Sequence, residues 1–409
     1  MATTVINTRC CVVGGGPAGM MLGFLLARAG IDVVVLEKHA DFLRDFRGDT
    51  IHPSTLELMH ELRLLADFLK LPHQEVSTLS VRIGTQASPV ADFRHLSTTC
   101  RFVALMPQWD FLNFLADRGR RYAAFHLAMS AEAQELIEEN GAIVGVRAQA
   151  PTGPLEVRAL LTVGCDGRHS TVRERAGLKV EDLGAPMDVL WFRLARRPQD
   201  PENTELVFLP GHIFISINRG DYWQCAYVIP KGAAEVVRAQ GLAQFQRNVA
   251  KAAPLFGDRV QTLSDWDTVK LLTVSVDRLR QWYRPGLLCI GDAAHAMSPV
   301  GGVGVNLAVQ DAVATANILC QSLRAGRVAE STLRRIQHRR QFAAKLTQRG
   351  QIFIQNRIVA GVLGGTKELS EPLPFKLLRA IPFLRRIPAR LIGIGVRPEH
   401  IETPDVMAG

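Results

Sequence analysis

Gly14, Gly16 and Gly19 form a G-x-G-x-x-G run, with Pro17 and Ala18 inside it, and nothing else in the 409-residue chain restricts its folding as much. The residues before it, Arg9 to Val13, read as a short apolar strand. Those after it, Pro17 to Ala29, read as a helix with Leu22, Leu25 and Leu26 on its inner face. Ile31 to Leu36 is then a nearly continuous β-branched run, the pattern of a parallel strand covered on both sides. The glycines let the backbone turn sharply and approach a pyrophosphate, and the helix N-terminus faces its negative charge. Glu37 closes the second strand, with Lys38 behind it, where a carboxylate accepts from ribose hydroxyls. The motif alone does not choose between NAD and FAD.

Two later strand ends carry the same kind of chemistry. Leu160 to Val163 runs into Gly164-Cys165-Asp166-Gly167-Arg168. Leu287 to Ile290 runs into Gly291-Asp292-Ala293-Ala294-His295 and on to Ser298-Pro299-Val300-Gly301-Gly302-Val303-Gly304-Val305-Asn306, ahead of a long helix from about Val303 to Leu323. A carboxylate at the carboxyl end of a strand sits where open α/β sheets bind ligands. The Gly-rich run at the helix start offers backbone N–H groups to an anion.

Between these motifs the texture changes. Asp188 to Arg193, Glu205 to Asn218 and Tyr222 to Ile229 alternate apolar with polar residues, and Asn218-Arg219-Gly220-Asp221 reads as a hairpin turn. The expectation is therefore a doubly wound α/β domain (residues 1–75, 101–180 and 277–325) carrying an inserted antiparallel-sheet domain (76–100 and 181–276). C-terminal helices follow over 326–409. Helices are also expected from about Pro53 to Leu69 and from Trp109 to Tyr122.

Composition narrows the class. With 47% hydrophobic and 21% charged residues the chain is globular. The net charge of +9 belongs to the end of the chain: Ser331 to Gly409 holds 14 basic and five acidic residues. Few aromatics interleave with those charges, which disfavours nucleic acid. No uninterrupted apolar run reaches the roughly 18 residues of a membrane span, and no secretory signal is evident. The seven cysteines form no C-x-x-C pair and no group with metal-ligand spacing, which points to a reduced, cytoplasmic setting.

In this order and spacing, the three motifs resemble those of the single-component FAD-dependent aromatic hydroxylases, the family of para-hydroxybenzoate hydroxylase. The resemblance covers most of residues 5–325. It implies that Gly14, Gly16 and Gly19 cradle the FAD pyrophosphate and Glu37 its adenosine ribose. Asp292, beside Gly291, would bind the ribityl chain. Pro299 and the stretch Gly301, Gly302, Gly304, Val305 and Asn306 would line the pyrimidine edge. Asp166 would serve FAD and transient NAD(P)H contact, Arg47 would reach the FAD phosphates, and Gln108 would lie near the ribityl region. The implied reaction is hydroxylation of a phenolic or polycyclic aromatic compound with NADPH or NADH and O2, through a C4a-hydroperoxyflavin. The rival readings are a flavin-dependent reductase of isoprenoid double bonds and a non-catalytic FAD-binding sensor.

Substrate would sit between the antiparallel sheet and the flavin. Phe214, Ser216, Trp223 and Gln224 are the candidates taken from a pool that includes Phe192, Phe208, Asn218 and Tyr227, and alternation places about half of them inward. His52 and His295 read as structural histidines, and no acid or base stands out. The run from Pro372 to Val396 mixes Leu, Ile and Phe with Lys and Arg. It reads either as a helix packing its apolar face on the domain or as a surface touching anionic lipid.

Overall fold

The computed structural model describes residues 3–43, 50–84, 86–202, 204–365 and 372–408. Its core is a mainly parallel sheet in the spatial order Phe125–Ala128, Val33–Leu36, Thr4–Val13, Gly153–Gly164, Leu287–Cys289. The four pairings along that path are all parallel. Thr4–Val13 is the switch point, since the chain winds to one side of it through Val33–Leu36 and returns to the other through Gly153–Gly164. Ligands bind outside the carboxyl ends of strands at such a point. Val33–Leu36 is buried throughout, as its unbroken apolar run requires.

Two helices pack together on this sheet. Pro17–Arg28 follows the first strand, and Gly304–Arg324 follows the last. Val300–Arg324 is long and apolar enough to cross a membrane, but most of it is buried against the rest of the fold, so it serves as a core helix.

The second sheet has the order Lys270–Leu272, Met187–Ala195, Tyr222–Pro230, His212–Asn218, Glu205–Leu209, Thr78–Ile83, Gln86–Asp92. All neighbours are antiparallel except Glu205–Leu209 with Thr78–Ile83. The hairpin through Asn218 to Asp221 forms as expected. Two expected elements are divided. Glu205 to Asn218 is two strands, because Gly211 at φ +73° turns the chain after Pro210. Pro53 to Leu69 is two helices, Pro53–Glu61 and Leu65–Phe68, because Arg63 takes a left-handed φ of +58°.

Alternation gives the second sheet two distinct faces. Leu190, Phe192, Leu194, Phe214, Trp223 and Tyr227 look toward the helix Leu242–Ala252, packing on Phe245, Val249 and Phe256. Val189, Ile213, Ala226 and Val228 occupy the opposite face, where Trp191, Ile215 and Val300 pack against them. Val300 belongs to the Gly-rich loop after the last parallel strand, so this second face is the one turned toward the parallel domain.

Candidate functional site

The register of the parallel sheet brings the three strand ends level. Val13 pairs with Leu36 on one side and Gly164 on the other, and Gly164 pairs with Cys289. Gly14, Glu37, Cys165 and Ile290 are therefore the next residues on one edge. Three motifs separated by well over a hundred residues meet there because each follows a parallel strand of matched register.

The glycine loop is built for close approach. Gly14 has φ +105°, and a Cβ there would stand 2.5 Å from the Cys165 carbonyl oxygen. A Cβ on Gly19 would lie 1.9 Å from the Gly14 oxygen. Gly16 differs: a Cβ there would meet nothing within 4 Å among the described residues. The open space lies at the start of Pro17–Arg28, whose first turn has neither a side-chain cap nor an acidic residue. Gly304–Arg324 is also bare of side-chain caps and first-turn acids. Unsatisfied first-turn N–H groups with the positive dipole end attract an anion. Gly291 at φ +59° is wedged between the two helices, its Cβ position 3.1 Å from Ala18 and 3.3 Å from Ala308.

The residues foreseen from the sequence fall into distinct roles here. Glu37 is buried and accepts from the Gly15 N–H at 2.9 Å and the His39 N–H at 3.0 Å, which ties the second strand end to the glycine loop. Lys38 is exposed beside it. Gln108 is half-buried as the first residue of Gln108–Gly119. Asp292 is partly exposed, with Arg168 Nη2 at 3.7 Å as its ion-pair neighbour. Arg47 lies outside the described residues.

Asp166 is held by local bonds. Its carboxylate accepts from Ser170 Oγ at 2.5 Å and from the Val172 N–H at 3.0 Å, capping the short helix Thr171–Arg175. Burial pushes its pKa above the usual carboxylate range. Asn306 is likewise a clamp. Its Oδ1 accepts from the His52 N–H at 2.8 Å and Thr55 Oγ1 at 2.7 Å, and its Nδ2 donates to the Thr50 carbonyl at 3.2 Å. Thr50 Oγ1 in turn donates to the Gly302 carbonyl at 2.8 Å. Pro299, Gly301, Gly302, Gly304 and Val305 continue this loop into the helix, with φ of +80° at Gly301 and +63° at Gly302.

Three of the four substrate candidates lie on the face of the second sheet away from Val300. Phe214 and Trp223 point toward Phe256, on the side away from Val300. Ser216 shares that side through strand alternation, and the Trp223 indole N–H donates to Asp200 at 2.9 Å. Gln224 alone lies on the face with Ala226, opposite Ile217.

A family model described as an FAD binding domain matches residues 7–350. Over 389 residues the chain is 31% identical to a 6-methylpretetramide 4-monooxygenase of Streptomyces rimosus, covering 94% of this chain and 92% of that one. The chain belongs to the FAD-dependent aromatic monooxygenases. It is accordingly an oxidoreductase. A rifampicin monooxygenase of Streptomyces venezuelae is 28% identical, but the match spans 74% of this chain and only 61% of the relative. The crystal structure of p-nitrophenol 4-monooxygenase PnpA from Pseudomonas putida superposes with a TM-score of 0.76 at 20% identity, covering 96% of this chain and all of that one. That likeness concerns the fold.

FAD suits this monooxygenase's strand-end edge. The vacant space at Gly16 and the two bare helix ends match a pyrophosphate and an electron-rich ring, and no acid in either first turn opposes them. Sequence reasoning missed what holds the edge in place. His295 Nε2 donates to Asp311 at 2.6 Å, and Asp311 also accepts from the Gly291 N–H at 3.1 Å and Arg340 Nε at 2.9 Å. Arg340 Nη1 continues to Glu399 at 3.0 Å and to the Arg397 carbonyl at 3.1 Å. Burial would raise Asp311, but His295 and Arg340 outweigh it and hold the carboxyl below its usual range. Asp311 and Arg340 sit in ordinary helical stretches, so no local pattern marks them.

His52 is structural, as read. Its Nδ1–H donates to the Ile392 carbonyl at 2.7 Å, and burial lowers its pKa to about 4. A folded pKa below the unfolded value near 6.5 means that folding disfavours the proton. The contribution is therefore intact above about pH 6.5 and declines as pH falls toward 4. We expect the wild type to lose up to roughly 3 kcal/mol more than His52→Asn over that window. Urea unfolding of both proteins at a series of pH values checks this, and parallel curves would show that His52 is not the titrating group.

Proposed function

We propose that the protein is an NAD(P)H-dependent hydroxylase of a phenolic or polycyclic aromatic compound. The observation that carries this is the convergence of three strand-end motifs and two uncapped helix N-termini on one edge, below an apolar sheet face. When bound, FAD would supply the redox chemistry, with NADPH or NADH as the source of electrons and O2 as the source of the oxygen atom.

The chain's own residues bind, orient and shield. Gly14, Gly16 and Gly19, with the first turn at Pro17 and Ala18, hold the pyrophosphate, and Glu37 beside Lys38 takes the adenosine ribose. Asp292 next to Gly291 meets the ribityl chain, assisted by Gln108, and Arg47 reaches the FAD phosphates. The loop of Pro299, Gly301, Gly302, Gly304 and Val305 lines the pyrimidine edge, and Asn306 fixes that loop to Thr50. Asp166 acts by shaping the turn that presents Arg168. Residues 1–75, 101–180 and 277–325 form the FAD-binding unit, 76–100 and 181–276 the substrate unit, and 326–409 the helical end.

Substrate contacts move to Trp191, Ile215, Gln224 and Ala226, the face that looks at Val300. That face is apolar around Trp191, Ile215 and Ala226, and Gln224, whose amide oxygen accepts from Arg219 Nε at 3.1 Å, gives it a polar end beside Arg193. It favours a neutral or phenolic ring, and similarity to the 6-methylpretetramide enzyme supports a polycyclic one. Seven buried free thiols support the cytoplasm as its compartment.

The test is rapid mixing of the FAD-loaded protein. NADPH or NADH should bleach the flavin anaerobically, and oxygenated buffer should then produce a transient absorbing species before reoxidation. A matching aromatic substrate should shorten its life and take up one atom of labelled oxygen. No reduction by either nicotinamide, or reoxidation that yields only hydrogen peroxide with every aromatic tried, would overturn the reading.

A further inference from the structure

The last helices are inside out. In Leu373–Ala380 the side chain turned inward is Phe375, and in Arg386–Gly393 they are Ala389 and Gly393. Gly393 approaches so closely that a Cβ would stand 2.9 Å from Leu96. Leu373, Leu377, Ile387 and Leu391 face out instead, as do Ile381 and Phe383 in the link between the two helices, all between 44 and 69% exposed, whereas Ile392 packs inward half-buried. Leu373 and Leu377, like Ile387 and Leu391, are four residues apart, so each pair forms a short stripe along its helix. An ordinary surface helix does the opposite.

Charge identifies the occupant. From Pro372 to Pro398 the chain carries six basic residues (Lys376, Arg379, Arg385, Arg386, Arg390 and Arg397) and no acidic one. Lys376, Arg386 and Arg390 are exposed beside the stripes, and the Arg386 guanidinium lies 4.8 Å over the Phe383 ring. A second copy would set this positive face against itself. An apolar stripe rimmed by cations matches the headgroup boundary of an anionic bilayer, where apolar side chains enter and Lys and Arg reach the phosphates.

We propose that the face formed by Leu373–Ala380 and Arg386–Gly393 docks the enzyme reversibly on anionic membrane surfaces. Phe375, on the inner side of the first helix, packs into the cluster with Ile213, Val228 and Val300. Docking therefore puts the membrane next to one wall of the substrate face. That last consequence rests on the proposed function, whereas docking itself does not.

The experiment is co-sedimentation of the full FAD-loaded chain with phosphatidylcholine vesicles and with equimolar phosphatidylcholine–phosphatidylglycerol vesicles. Binding is expected to the second and not the first, and to weaken as salt is raised. Lys376→Glu with Arg390→Glu should weaken it roughly 30-fold or more. Phe383→Asp with Ile387→Asp should abolish it while FAD content and unfolding midpoint stay unchanged. No sedimentation with anionic vesicles, or sedimentation that survives the Phe383/Ile387 variant, overturns the proposal. So does concentration-dependent dimerisation in light scattering that this variant removes, because the face would then be an interface between copies. Flavin turnover is read separately, so failure of the hydroxylase reading leaves this result standing.

Discussion

Replacing Gly16 by Val is expected to yield a folded protein that purifies nearly colourless. The backbone there has φ −74°, which any residue adopts, and a Cβ meets no atom of the described residues within 4 Å. The side chain instead fills the space in front of the first-turn N–H groups. A hydrogen bond to a charged group contributes about 1.5–3 kcal/mol, so losing even one weakens FAD binding by roughly ten- to a hundred-fold. Gly19→Val should behave differently, because the new Cβ would stand 1.9 Å from the Gly14 oxygen and the loop must move before any ligand arrives. Measured together, the FAD-to-protein ratio and the apoprotein unfolding midpoint separate the two: Gly16→Val lowers only the first, and Gly19→Val lowers both. Asp292→Ala should follow the Gly16 pattern, since what its carboxylate loses among the described residues is a 3.7 Å ion pair with Arg168. A Gly16→Val protein that keeps full yellow colour would remove the pyrophosphate from this loop.

The largest stability effect is expected at Arg340. Its substitution by Met removes the cation shared by Asp311 and Glu399, leaving buried Asp311 with His295 and Glu399 with Arg339. Breaking a buried pair on one side costs about 3–5 kcal/mol, a large share of the roughly 5–15 kcal/mol that holds a domain folded. The network also reaches Gly291 through Asp311, so FAD retention should fall with stability. Adding Asp311→Asn removes the more deeply buried of the two charges and should recover part of the loss, since Glu399 keeps Arg339 at 2.9 Å. Urea unfolding of the single and double variants measures this, and a single-variant change below about 1 kcal/mol would mean that water reaches the network.

The parallel sheet and its ligand edge were legible in the sequence because their causes are local. A β-branched run covered on both sides, a glycine turn needing positive φ, and a carboxylate at a strand end each leave a pattern within ten residues. Strand alternation was equally plain from Asp188 to Ile229, and it does put Phe214 and Trp223 on one face and Gln224 on the other. Which face meets the flavin edge is not a property of the strands. It depends on where Leu242–Ala252 packs and where the loop at Val300 arrives, and both are contacts across long stretches of chain. The same holds for Asn306, whose amide is used by Thr50, His52 and Thr55 some 250 residues away.

The C-terminal run shows the division most clearly. Its composition of Leu, Ile, Phe, Lys and Arg was readable, and it admitted both a packed and an exposed apolar face. Tertiary structure decided between them: Ala389 and Gly393 sit tight against Phe93 and Leu96 with Ile392 beside them. Ile387 and Leu391 are left facing outward. Sequence determines the periodicity of an amphipathic element, since that is geometry within one helix or strand. Which side is buried depends on the space the rest of the fold leaves, and that space exists only once the chain has folded.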